Sequence, residues 1–247
     1  MKIQKLSRFA VEQSLNCPRC FVLQYKHKIS LPGLPFTLNS AVDNLCKNEF
    51  DVYRAKQEPL PIFLEHGIEA TPYEHSDIDH WRNNFRGMYH QDEINGFNFG
   101  GAVDDILIKP NGELLIIDVK ATSKNKFDWA DTWSKYDYPK AYQRQLEMYQ
   151  WVFRKEGYKV SNEGFLLYFN GLKNEPMFNQ EMKFEHYLIK LDCNDEWVEE
   201  AILNAKSLLE RDELPHSSDT CDKCNYLKKR WLLSMDQTND LVGAKHG

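Results

Sequence analysis

Gly101-Ala102-Val103-Asp104-Asp105-Ile106-Leu107-Ile108-Lys109-Pro110-Asn111-Gly112-Glu113-Leu114-Leu115-Ile116-Ile117-Asp118-Val119-Lys120 reads as a β-hairpin with charge at its open end. Asn111-Gly112 is a strong turn signal between two apolar runs. Side chains alternate along a strand, so Asp118 and Lys120 share a face. A three-residue loop sets Asp104 opposite Asp118, whereas a two-residue Asn-Gly loop sets Asp105 there. Loop length decides between them, and the residues alone leave both open. A surface ion pair between Asp118 and Lys120 is the plain alternative. Leu114-Leu115-Ile116-Ile117, apolar on both faces, argues instead for a buried strand. Carboxylates and a lysine ending such a strand are costly unless paired. A divalent metal with a phosphate would pair them.

Downstream, Tyr142-Gln143-Arg144-Gln145-Leu146-Glu147-Met148-Tyr149 has helical character. Gln145 and Tyr149 are four apart and share a face, and Ala141, Leu146, Val152 and Phe153 supply a packing stripe. Gly157 is the expected C-cap. Gly164–Phe169 reads as a buried strand and Tyr187–Leu191 as another. Asp195 is expected to open an amphipathic helix to about Arg211. Ser7 is expected to cap a first helix through Leu15, with a second from Pro18 to Lys26. Leu31-Pro-Gly-Leu-Pro reads as a turn, and a helix follows near 40–56. Residues 57–92, with three histidines and several prolines, are expected to hold one helix and loops. The fold class is therefore α/β, a central mixed sheet flanked by helices.

Taken in order, Gly101-x-x-Asp104, Asp118-x-Lys120 and Gln145-x-x-x-Tyr149 resemble the PD-(D/E)XK nuclease superfamily, and within it the RecB-type and Cas4-like exonuclease branch. The resemblance selects Asp104 over Asp105 and implies a restriction-endonuclease-like core. It also implies Mg²⁺- or Mn²⁺-dependent hydrolysis of phosphodiester bonds, in DNA rather than RNA. Asp104, Asp118 and the carbonyl of Val119 would hold the ion, Lys120 would orient water and phosphate, and Gln145 would support them. The branch opens with a helix bearing a histidine after a glycine. Here Ser40 and Asp43 occupy those places, and Asp43 offers an oxygen ligand instead. Lys124 and Lys126 form a basic run beside the site, and with Tyr149 they are the candidate nucleic-acid contacts, against solvated surface charge for the lysines and plain packing for Tyr149. Trp129 and Trp133 follow, able to stack bases or to pack. The alternative is a non-catalytic nucleic-acid-binding or assembly module that keeps the fold.

Cys17-Pro-Arg-Cys20 and Cys221-Asp-Lys-Cys224 form two Cys-x-x-Cys pairs, a four-thiolate metal signature that would join the termini. Spacing points to Zn²⁺. The resembled branch implies a [4Fe–4S] cluster instead, built there from one N-terminal and three C-terminal cysteines. Cys20 is then an added ligand, and Arg230 stands near the expected third C-terminal cysteine. Cys46 and Cys193 read as core residues.

The 247 residues carry 31 basic and 37 acidic side chains, a net charge of −6. That balance excludes a broadly basic nucleic-acid coat but leaves local phosphate-binding patches available. No apolar run reaches the roughly 20 residues of a membrane span. The absence of a secretory signal leads to the expectation of a cytoplasmic protein. Neither Gly-x-Ser-x-Gly nor Gly-x-x-x-x-Gly-Lys-Ser/Thr occurs, so an α/β-hydrolase and an internal ATP motor are excluded. Processive work on a duplex would need a separate helicase or a larger complex. The expected organisation is one domain over 1–235 with an insertion at about 57–96, then a polar tail at 236–247.

Overall fold

The computed structural model describes residues 3–30, 33 and 37–243, with only the backbone at Thr37 and 236–243. The expected turn at 31–35 lies outside the described residues, apart from Gly33. Along the chain come β1 (Gln4–Ser7), α1 (Arg8–Asn16), α2 (Pro18–Tyr25), α3 (Thr37–Lys56), α4 (Pro61–Glu65), β2 (Thr71–Pro72), α5 (Ile78–Trp81), β3 (Met88–Asp92) and β4 (Phe97–Gly101). Then follow β5 (Asp105–Ile108), β6 (Leu114–Thr122), α6 (Trp129–Lys135), α7 (Tyr138–Lys155), β7 (Val160–Gly171), β8 (Phe184–Asp192), α8 (Val198–Glu210) and α9 (Asp222–Gly243).

Two sheets form. The larger runs β2-β5-β6-β7-β8 and the smaller β1-β4-β3. β6 and β7 are parallel, and the other pairs of the larger sheet are antiparallel. A parallel pair cannot be joined by a tight turn, so α6 and α7 make the crossover. α7 runs between the two sheets and is buried all round from Gln145 to Phe153. Leu146, Tyr149 and Phe153 pack with Ile116 and Leu166 of the larger sheet. Met148 and Val152 pack with Phe97 and Phe99 of the smaller one. This is the expected mixed α/β architecture with helices on the sheets.

The hairpin register is set by its loop. Asp105 pairs with Ile117 and Ile108 with Leu114, while Lys109 N–H donates to Glu113 O at 2.9 Å. Three residues, Pro110-Asn111-Gly112, therefore close the turn. Gly112 takes φ +80° and its N–H returns to Lys109 O at 2.9 Å. A left-handed glycine after a tight turn is how three-residue hairpins are made.

Several expectations change. The acidic strand read as continuous over 101–108 is broken, because Ala102–Asp104 carry the chain from β4 in one sheet to β5 in the other. Gly100 permits the approach of β3 there, since a Cβ at this position would lie 1.9 Å from Met88 O. Residues 57–92 contain two short helices and two strands rather than one helix and loops, with β2 capping the larger sheet and β3 completing the smaller. The helix after β8 also starts later than expected. Trp197 is the N-cap of α8, and Asp195 instead pairs with Arg154. Residues 236–243 continue α9, for no proline or glycine interrupts 222–242.

Candidate active site and thiolate centre

Extending the β5–β6 register by one residue sets Asp104 across from Asp118. Asp104 Oδ2 accepts the Val119 N–H at 2.7 Å, which ties the end of β5 to the backbone between Asp118 and Lys120. Asp118 is fully buried. Its Oδ1 accepts Gln145 Nε2 at 2.6 Å, and its Oδ2 pairs with the Lys120 ammonium. Lys120 Nζ lies 3.4 Å from Gln145 Oε1 and 4.6 Å above the Tyr142 ring. One turn of α7 thus presents Tyr142 and Gln145 to the same pair of charges, as i,i+3 spacing allows.

Asp43, on α3, is electrostatically coupled to Asp104 and Lys120, and burial followed by the charge of Asp104 raises its pKa. One carboxylate oxygen pairs with Lys47 at 2.9 Å. The other, Oδ1, is buried with no hydrogen-bond partner. Asp104 is pushed up to about 6, first by burial and then by Asp118. For Lys120, burial works against the charge, but Asp118 and Asp104 outweigh it and raise the pKa. Asp104 and Asp118 face each other at the end of the hairpin, Asp43 acts on Asp104 through its charge, and one buried Asp43 oxygen is unpartnered, so the donors on offer here are hard oxygens of the kind that suit Mg²⁺ or Mn²⁺.

Asp105 points elsewhere. It is 1% exposed and bonds both Arg54 and Arg82, the latter at 2.9 Å. Arg82 continues to Asp51 and Asp79. The second aspartate of the pair is thus an internal ion-network residue joining α3, α5 and β5.

Tyr149 is 4% exposed and lies in the core cluster with Leu146 and Phe153, close to Arg8. Its burial favours the packing alternative over a nucleic-acid contact. Lys124 is held inward, Nζ reaching Thr132 Oγ1 at 2.8 Å and the Tyr138 hydroxyl at 3.0 Å. Lys126 is exposed. Asn170 clamps this loop through Lys124 N–H and O. Trp129 and Trp133 are half-buried and lean on the core. Two site neighbours escaped the sequence reading. Tyr142 had a usable signal in its spacing from Gln145. Arg8 had none beyond following a capping serine; burial works against its charge, but Tyr149 and Asp118 outweigh it and raise the pKa.

At the other end, Cys17, Cys20, Cys221 and Cys224 converge, with all four sulfur atoms within 4.8 Å of one another. Cys17 links α1 to α2 and Cys221 precedes α9, so each pair straddles a helix start. Ser218 Oγ donates to Asn16 O at 2.7 Å and closes the same junction. Burial pushes the Cys17 thiol up, but the amides of Cys20 and Ser218 and the adjacent thiols pull it to about 7. The Cys20 thiol is raised by burial and by its three neighbours. Cys46 and Cys193 are buried apart from this cluster.

A family model described as the PD-(D/E)XK nuclease superfamily matches residues 37–228. No curated protein matches the chain. Among solved structures, the alkaline exonuclease LHK-Exo from Laribacter hongkongensis is similar, at 12% identity and a TM-score of 0.40 over 92% of this chain and 93% of that one. LHK-Exo in complex with dAMP gives 10% identity and a TM-score of 0.41 over 83% and 86%. SSO0001 gives 13% identity and 0.40 over 87% and 80%. Among the described residues no helix is long and apolar enough to cross a membrane.

Proposed function

Since the chain belongs to the PD-(D/E)XK nuclease superfamily, we propose that it is a Mg²⁺- or Mn²⁺-dependent nuclease of the RecB-type and Cas4-like branch, acting on DNA as an exonuclease. The carrying observation is the facing pair Asp104 and Asp118, locked to Val119 and Gln145, with Lys120 on the same face.

Asp104, Asp118, Asp43 and the Val119 carbonyl would hold the ion. When bound, such an ion polarises a phosphate oxygen and lowers the pKa of a water. The chain's own residues do the remaining work. Lys120 brings a fixed positive charge to the phosphate and offsets charge that develops in the transition state. Gln145 holds Asp118 and Lys120 in mutual register through its two amide atoms. Tyr142 backs the ammonium with its ring, and Arg8 and Tyr149 brace the site from below. Lys126, exposed beside β6, is placed to meet the nucleic-acid backbone. The domain is read as 1–235, with 57–96 as an insertion, and a helicase or larger complex as its partner.

End-labelled single- and double-stranded DNA and RNA, incubated with purified protein and Mg²⁺ or Mn²⁺, test this reading. Cleavage that stops with chelator and in Asp118→Ala supports it. Metal-independent cleavage, or none on any substrate, overturns it.

A further inference from the structure

The resembled branch implies a cubane cluster, and the cysteines of this chain do not fit one. Cys20 Sγ lies 3.4 Å from Cys224 Sγ and 3.6 Å from Cys221 Sγ, and Cys17 Sγ lies 3.9 Å from Cys224 Sγ. A tetrahedral zinc with Zn–S bonds of about 2.3 Å has ligand sulfurs about 3.8 Å apart. These three distances bracket that value, and all six stay within 4.8 Å, as compact a set as four sulfurs on one ion require. A [4Fe–4S] cubane binds each thiolate to a different iron, with sulfides between the irons. Its ligand sulfurs must stand well outside the dimensions of a single tetrahedron.

The make-up of the ligand set agrees. The ligands divide two and two between the ends of the chain, and Arg230 replaces the third C-terminal cysteine of the cluster-binding pattern. No other thiol is near, for Cys46 and Cys193 are absent from the group.

We infer that Cys17, Cys20, Cys221 and Cys224 bind a single zinc ion in place of an iron–sulfur cluster, clamping the α1–α2 pair to the start of α9. The ion is structural, since four protein ligands close its coordination and leave no position for substrate. It is separate from the hydrolytic site and does not depend on the nuclease reading.

Full-length protein, produced anaerobically in medium holding both iron and zinc, tests it by metal and sulfide analysis and by absorption. The expected result is colourless protein with one zinc per chain and no inorganic sulfide. Exchange into cobalt should then give the intense d–d bands of tetrahedral thiolate coordination. Brown protein with iron and sulfide overturns the assignment, as does iron without sulfide or the absence of bound metal after reconstitution. The Cys20→His variant gives a second reading. A zinc site accepts three cysteines and one histidine, so the variant should keep its zinc and a shifted cobalt spectrum. Loss of both, in variant protein whose circular dichroism is still that of the folded state, counts against the site.

Discussion

Asp104 accepts the amide of Val119 at 2.7 Å, so one candidate metal ligand grips the backbone between two other site residues, Asp118 and Lys120. The bond crosses from the end of β5 to β6 and holds the two carboxylates on one side of the hairpin. It also brings like charges together in a buried place, an arrangement that favours cation binding over stability.

The first prediction follows from that conflict. Asp104 is pushed up to about 6, above its ordinary value of about 3.9. A carboxyl whose folded pKa is raised destabilises the fold when ionised. The penalty is absent below about pH 4, grows as pH rises through 6, and is constant above. Asp104→Asn should therefore stabilise metal-free protein at pH 7, by on the order of 1–3 kcal/mol, while abolishing stabilisation by added Mg²⁺ or Mn²⁺. Urea unfolding in chelator at pH 4, 6 and 8 measures it. A gain that is equal at all three values would refute the electrostatic origin.

Asp105→Ala should act in the opposite sense. Removing this carboxylate takes from Arg54 and Arg82, both under 10% exposed, their one buried partner and leaves them the more exposed Asp51 and Asp79. Breaking a buried pair in this way costs roughly 3–5 kcal/mol. The loss should appear with and without divalent metal. Wild-type thermal stability in the variant would show the network to be dispensable.

Lys120→Ala should reduce cleavage by roughly 10²-fold or more and leave divalent binding intact, as read by calorimetric titration. The variant should also gain more thermal stability from metal than the wild type does, because the ion then supplies the charge that Lys120 gave to Asp118. Turnover at the wild-type rate would exclude Lys120 from the chemistry.

Gln145→Ala removes the 2.6 Å bond to Asp118 and the contact with Lys120. Cleavage should fall by roughly 10-fold or more, against a stability loss of about 1 kcal/mol typical of one hydrogen bond. Unchanged cleavage alongside a large drop in melting temperature would make Gln145 a packing residue.

Local features were legible in the amino-acid order. The hairpin follows from two apolar runs about a Pro-Asn-Gly turn, and the shared face of Asp118 and Lys120 from the two-residue period of a strand. The Ser7 cap, the Gly157 stop and the two Cys-x-x-Cys pairs are likewise short-range patterns. What depended on contacts between distant residues was not legible. The register tie between Asp104 and Asp105 turned on a single residue of loop length, and tertiary structure resolved it by seating Asp105 between Arg54 and Arg82. Those arginines are 51 and 23 positions away, and no local pattern points to them. The break at Ala102–Asp104 arises because β4 pairs with β1 and β3 while β5 pairs with β2 and β6, a choice made by packing around α7. Arg8 reaches the site only because β1 aligns with β4 and delivers α1 to Tyr149. Sequence spacing named the four cysteines, but their sulfur–sulfur distances exist only once chain ends some 200 residues apart have met.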